Sequence, residues 1–282
     1  MSDNLGFSSN AEPLSIGNVV SAGVRLYRSH LKEYFLLALK AYLWVLIPVY
    51  GWAKFYALSA LIGRLAFGDL VNQPESVHSG ERFVNSRLWK FFGTLILMFF
   101  ISVGIMIGFL VAGGLLLGIM AAVLGVQNGN LSNIGIVVLI AILVSVVGIV
   151  GIVWLGTRFY VVDLPLAIEE NVDAISTIQR SWELTKGYVG RIFIISFVAL
   201  LITLPLQILV QIITTVIQLI FTPLLADGSP VFSLIFIVLF LGIIVSSNAA
   251  ILPFLQTVKA VIYYDLRSRR EGLGLQLRDR EI

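Results

Sequence analysis

The chain has 282 residues, 58% of them hydrophobic and only 12% charged. Soluble domains run about 45–50% apolar and about 25% charged, so this balance excludes an ordinary water-soluble fold and predicts an integral membrane protein. Zero cysteines exclude disulfides and Cys-based metal sites, two histidines (His30 and His78) argue against a His-rich centre, and the net charge of +3 forms no stripe for nucleic acid.

The first residues, "MSDNLGFSSNAEPLS", are polar and lack a basic region followed by a short apolar core, so residues 1–13 are expected as a disordered tail without a cleaved signal peptide. Next comes a helical pattern in which Ile16, Val20, Gly23, Tyr27 and Leu31 share one face while Ser21, Arg25, Arg28 and Lys32 face away. The stretch from Lys32 to Phe67 is apolar but broken at "IPVYG", where Pro48 cannot donate its backbone hydrogen bond and Gly51 supplies a turn. Each half is about 16 residues, about 24 Å of helix, which predicts either two thin spans or a re-entrant hairpin. Lys40 and Lys54 lie inside it and are expected to snorkel to the interface.

Crossing about 30 Å of hydrocarbon takes about 20 apolar residues as a helix. Four runs meet this: Phe91 to Leu124, Ile134 to Val162, Ile192 to Leu224 and Val231 to Tyr264. The connectors Val126–Gly135 and Leu225–Pro230 carry no Lys or Arg. The other connectors hold Arg82, Arg87 and Lys90, then Arg180, Lys186 and Arg191, then Arg267, Arg269 and Arg270. Cations are retained on the cytoplasmic side, so both termini are expected inside, in an inner (plasma) membrane.

The charged connector that holds "RSWELTKGYVG" reads as an interfacial helix with Ile175, Ile178, Trp182 and Val189 opposite Asp173, Arg180, Glu183 and Lys186; Asn171 is its expected cap and Lys186-Gly187 its stop. "SGERFVNSRLWKFFG" is a shorter counterpart with Phe83, Leu88 and Trp89. "AKFYAL", "TRFYVVD" and "TVKAVIYYD" each set a basic residue a few positions before Tyr near a cytoplasmic exit. The expected architecture is therefore an all-α, polytopic membrane helical bundle of about six transmembrane helices. They form three hairpins, each preceded by a cytoplasmic amphipathic helix, in a single membrane domain 14–266 (units about 14–68, 78–163 and 171–265) with a cytoplasmic tail 267–282.

"AISTIQRSWELTKGYVGRIF", "YYDLRSRREGLGLQL" and "IGNVVSAGVRLYRSHLKEYFLLAL" resemble a bacterial membrane-domain family found ahead of glycerophosphodiester phosphodiesterases, the glycerophosphoryl diester phosphodiesterase membrane domain. The resemblance implies a multi-span helical bundle with no established chemistry of its own. No barrel-type phosphodiesterase domain is expected after Ile282, and the His and acidic metal ligands of such a hydrolase are absent, so the hydrolase activity is not carried over.

Thr203, Gln207, Gln211, Thr214 and Gln218 step by three or four residues and line one helix face. Glutamines facing lipid would leave unmet hydrogen bonds, so they are expected to face helices or water, with Ser246, Ser247 and Asn248 as partners and Pro253 freeing the carbonyl of Ala249. This polar seam reads either as interhelical glue or as one wall of a polar path. Gly104, Gly108, Gly114 and Gly118 have the spacing of close helix contacts.

At the cytoplasmic rim, Arg158, Asp163, Lys259 and Asp265, with Tyr160, Tyr263, Arg180 and Trp182 beside them, read first as ordinary topology determinants; paired charges and anchors for anionic lipid headgroups are the alternative roles. "RSRR" (Arg267 to Arg270) adds surface attraction. No phosphate loop, G-x-S-x-G or H-E-x-x-H motif appears, and "DLPLAIEENVD", with Asp163, Glu169, Glu170 and Asp173, reads as a solvated acidic connector.

No catalytic residues, metal or cofactor are expected, and the protein is read as no enzyme. The functional expectation is an integral membrane protein that transports or handles a small amphiphilic solute or lipid. The alternative is a membrane-organising or scaffold subunit that binds a partner through its interfacial helices. Membrane lipids and a second copy of the chain are the expected partners, and nucleic acid is not.

Overall fold

The computed structural model describes residues 15–124, 131–226 and 229–273, and it is helical with no strand among them. The helices are α1 (Ile16–Ser29), α2 (Leu31–Trp44), α3 (Tyr50–Leu70), α4 (Val77–Ser86), α5 (Leu88–Val123), α6 (Leu131–Arg158), α7 (Asp163–Ile168), α8 (Ala174–Thr185), α9 (Val189–Ala226) and α10 (Pro230–Glu271). Four segments are long and apolar enough to cross a membrane: Leu88–Val123, Asn133–Ile168, Val189–Leu225 and Pro230–Glu271. The fold is all-α and multi-pass. The expected tail 1–13 lies outside the described residues, as do residues 125–130 and 227–228 of the two connectors without Lys or Arg.

α1 starts where Ser15 accepts a hydrogen bond from Asn18 N and satisfies an otherwise orphaned first-turn amide. Its buried face is Val19, Val20, Ala22, Gly23 and Leu26, with Ser21, Arg25 and Arg28 outside. Leu31 does not continue that face: the chain breaks at His30, and Leu31 opens α2 half exposed. Gly23 is where α1 meets α10, because a Cβ there would stand 2.6 Å from Val258 Cγ2. Tyr27 Oη donates 2.9 Å to Ala250 O, one residue beyond the carbonyl that Pro253 frees.

The break between α2 and α3 falls where Pro48 and Gly51 predict it. Val49 stands at φ 63 and ψ −75, and Tyr50 N bonds Pro48 O at 2.8 Å, which closes a three-residue γ-turn with a positive central φ. Gly51 is required on space alone, since a Cβ would sit 1.9 Å from Trp44 O.

The molecule has two parts. At the charged ends of the long helices lies a buried base. There α1, α2, α3, α4, α7 and α8 pack on the first turns of α5 and α9 and the last turns of α6 and α10. α3 is its centre, buried from Ala57 through Gly63 and touching α2, α4, α5, α7 and α10. Beyond the base, the apolar stretches of the four long helices stand exposed. α5 buries only Leu88, Phe91 and Thr94 of its 36 residues, and α10 buries nothing before Ala249. A 36-residue helix is about 54 Å long, so α5 exceeds about 30 Å of hydrocarbon, with turns to spare for the base. α3 touches α5 through its first turns, where Tyr56 meets Phe91 edge-on at 5.8 Å.

Several expectations change. Gly104, Gly108, Gly114 and Gly118 face open space; α5 and α6 approach instead where Gly113 would meet Val144 and where Gly148 receives the Phe109 ring. Lys40 and Lys54 do not merely snorkel: Lys40 pairs with Glu81 at 2.8 Å, and Lys54, only 8% exposed, bonds Asn85 Oδ1 at 2.6 Å with Glu81 at 3.7 Å. Lys54 also lies in the opening turns of α3, whereas Arg158 ends α6, so the three basic–Tyr motifs are not equivalent in position. α10 runs past residue 266 to Glu271, where Gly272 at φ 63 caps it, and most of the expected tail 267–282 lies outside the described residues.

Candidate functional site at the charged end of the bundle

The expected acidic connector is not solvated through its first half. Asp163 to Ala167 are buried as α7, which exposed-loop reasoning missed because the helix is only 6 residues long and follows the span after a turn. Asp163, 1% exposed, receives Lys259 Nζ at 2.9 and 3.1 Å and Gln256 Nε2 at 3.2 Å, and the Lys259 ammonium lies 5.5 Å from the Tyr160 ring. The charge pair is therefore real for Asp163 and Lys259. Asp265 pairs elsewhere, with Arg191 at 3.1 Å and Arg269 at 3.0 Å. Arg180 binds Glu169 at 3.1 Å and also Glu271, while the Tyr263 hydroxyl donates to Glu169. Arg87, at the start of α5, donates to the carbonyls of Leu166, Glu169 and Glu170 and so ties α7 and the turn after it to α5.

α8 starts at Asp173, not Asn171: Asp173 Oδ1 accepts from Ile175 N and Ser176 N, a capping box closed by the Ser176 hydroxyl. The Ser176 backbone bond chiefly holds the Asp173 carboxyl below its usual range. Lys186 and Gly187, at φ 81, end the helix as expected. The buried stripe of α8 is not the predicted Ile175–Ile178–Trp182 face; Ile175 is 61% exposed. It is Thr177, Ser181 and Thr185, whose hydroxyls reach Val162 O at 2.6 Å and Arg158 O at 2.9 and 3.1 Å. These carbonyls close the C-terminal end of α6, and without such donors they would be buried and unpaired. The i, i+4, i+8 spacing of three hydroxyl residues was the sequence signal for them.

Arg158 is the outlier of the rim. It is 5% exposed and stacked 3.9 Å over the Trp182 ring, with Trp154 at 5.6 Å on another side. The two indoles meet edge-on at 5.5 Å. Its Nη1 makes a long bond of 3.4 Å to Thr185 Oγ1 and its Nε makes none.

The polar seam of α9 does not cross to α10. Gln207 donates to Thr203 Oγ1 at 2.7 Å and Gln211 to Thr215 Oγ1 at 3.4 Å, all within α9. Thr203 and Thr214 are buried, and Gln207, Gln211 and Gln218 are exposed. Ser247 and Asn248 bond Ile244 O on their own helix. Between α9 and α10 lies an apolar cleft of about 530 Å³ walled by Leu206, Leu209, Val210 and Ile213 on one side and Val238, Leu239, Gly242 and Ile243 on the other. Ser246, Ser247 and Ala250 close its end nearest the base. Heptad-like spacing identified a polar face on α9; which neighbour it met depended on helix rotation, which spacing does not encode.

Among the described residues no group of three or more His, Cys, Asp or Glu could hold a metal ion. No family model, curated protein or solved structure matches the chain. The class is carried by the structure: a multi-pass membrane protein with four long apolar helices.

Proposed function

We propose that this chain is a non-enzymatic lipid-handling protein of the inner membrane, with its base on the cytoplasmic leaflet and α5, α6, α9 and α10 as its four full spans. The cleft between α9 and α10 carries the reading. Its walls are aliphatic, and its base-facing end has the hydroxyls of Ser246 and Ser247. An apolar furrow ending in a few polar groups at headgroup depth has the chemistry of an amphiphile: hydrocarbon against the walls, a polar end toward the interface. The α2–α3 pair is then a re-entrant hairpin rather than two further spans, because it packs on the first turns of α5 and the last turns of α10. Arg25, Arg28, Arg82, Lys186 and Arg191 all belong to the helices of the base or to the ends of the long helices packed against them, and this excess of cations supports the cytoplasmic assignment. Likeness to the membrane domain found ahead of glycerophosphodiester phosphodiesterases agrees with this reading and rests on the three quoted stretches alone.

The test fills the cleft. Gly242 lines the cleft and has open space where a Cβ would go, so Gly242→Phe is the substitution chosen to put a ring there. Native mass spectrometry of protein released from nanodiscs is expected to show a retained diacyl lipid on the wild type and its loss from the variant. Equal retention by both refutes the cleft as the lipid site.

One observation favours the second reading, a membrane-organising subunit. Gln207, Gln211 and Gln218 are exposed on an otherwise apolar helix, and side-chain amides in hydrocarbon find partners on another helix. A second copy of the chain supplies that helix.

A further inference from the structure

We infer that Arg158, Lys186 and Arg270 form a binding site for a phosphate-type oxyanion at the junction of α6, α8 and α10. Three cations converge on the last turn of α8. Arg158 Nη1 reaches Thr185 Oγ1, Arg270 Nε donates 3.1 Å to Leu184 O and its Nη2 to Lys186 O, and Lys186 itself is exposed at the helix cap. Among the described residues none of the three has a carboxylate within ion-pair distance, whereas Arg180, Arg191, Arg267 and Arg269 beside them each do. Arg270 has an internal explanation, since cations and donors belong at a helix C-terminus.

Arg158 has none. A guanidinium carries five N–H donors, and burying it without partners is costly. The Trp182 ring lies against it and Trp154 lies further off beside it, which accounts for the burial and for part of its attraction, yet leaves the N–H donors short of acceptors. Nε is buried with no partner. A planar guanidinium short of acceptors, beside a second guanidinium and an exposed ammonium, matches the tetrahedral, multiply accepting geometry of a phosphate. Trp154, 44% exposed, sits where an indole marks the headgroup layer, so the phosphate of an anionic lipid and free phosphate are the two sources of this chemistry. The inference rests on the lipid-handling reading only for the lipid source, and it uses atoms separate from the α9–α10 cleft.

The experiment titrates the full-length protein in neutral detergent with dioctanoyl phosphatidylglycerol, with dioctanoylglycerol as the phosphate-free control, and reads tryptophan fluorescence. Phosphatidylglycerol is expected to give a saturable change and dioctanoylglycerol none. Arg158→Gln is expected to weaken binding about tenfold or more and Lys186→Gln about threefold, as for the loss of one strong and one exposed charge-assisted contact. Arg158→Lys, which keeps the charge and loses the fork, is expected to fall between. Displacement by millimolar inorganic phosphate assigns the site to free phosphate, and no displacement assigns it to the lipid headgroup. Equal responses to the two lipids overturn the proposal, as does unchanged phosphatidylglycerol affinity in both Gln variants. If Arg158→Gln does not fold, the exposed Lys186→Gln decides alone. Gly242→Phe losing its retained lipid while phosphatidylglycerol affinity holds separates the two sites.

Discussion

Lys259 Nζ stands 2.9 Å from Asp163 Oδ2, and this pair, almost wholly buried on the acid side, joins α10 to the short helix that follows α6. Removing one partner strands a buried charge, and such losses cost about 3–5 kcal/mol. Asp163→Ala is therefore expected to lower the thermal midpoint in detergent by far more than an exposed-site control such as Glu170→Ala. The double variant Asp163→Leu with Lys259→Met is expected to recover most of the loss, because apolar replacement of both partners is often neutral. A double variant no better than Asp163→Ala contradicts this.

Acid is expected to loosen α4. Burial pushes the Glu81 carboxyl up, but the Lys40 hydrogen bond and the Lys40 and Lys54 charges outweigh it and hold it below its usual value. A carboxyl depressed in the folded state contributes stability that is present above its unfolded value, about 4.3, and is lost as pH falls through the folded one. Melting curves between neutral and strongly acidic pH are expected to show a loss setting in below about 4.3, and Glu81→Gln is expected to lack that share of it. A variant with the same acid profile as wild type contradicts the assignment.

The γ-turn at the tip of the α2–α3 hairpin holds a β-branched residue at positive φ, a conformation that costs of order 1–3 kcal/mol. Val49→Gly is expected to stabilise the protein by about 1 kcal/mol, since Gly takes positive φ freely. Gly51→Ala is expected to destabilise it, because the added Cβ meets Trp44 O. Thermal midpoints of the two variants check both signs together, and a neutral or destabilising Val49→Gly refutes the strain.

If the exposed glutamines of α9 meet a second copy, replacing Gln207, Gln211 and Gln218 together with Leu removes that contact, and within the chain it removes the bonds to Thr203 and Thr215. Mass photometry in nanodiscs is expected to shift toward monomer in the triple variant. An unchanged distribution sinks the scaffold reading.

Most of the long helices were legible because a run of more than about 20 apolar residues has no other stable home. The hairpin break was legible because Pro48 and Gly51 constrain the backbone locally. The partners of buried charges were not. Lys54 finds Asn85, and Asp163 finds Lys259, across 31 and 96 positions of chain, and only helix packing decides such pairs. The cap of α8 was misplaced by two residues because Asn171 and Asp173 are both cap-forming types. The Thr177–Ser181–Thr185 stripe is not marked by hydrophobicity, because its hydroxyls are buried to close the end of α6 and not to cover apolar surface.

The account turns on which helices cross, and a chain without cysteine lets single cysteines report this directly. Ser229→Cys, Tyr50→Cys and Ser79→Cys would be exposed to a membrane-impermeant maleimide on intact spheroplasts and again after permeabilisation. The account predicts labelling of Ser229→Cys from outside, of Ser79→Cys only after permeabilisation, and none of Tyr50→Cys from outside. Outside labelling of Tyr50→Cys, or of Ser79→Cys, contradicts it.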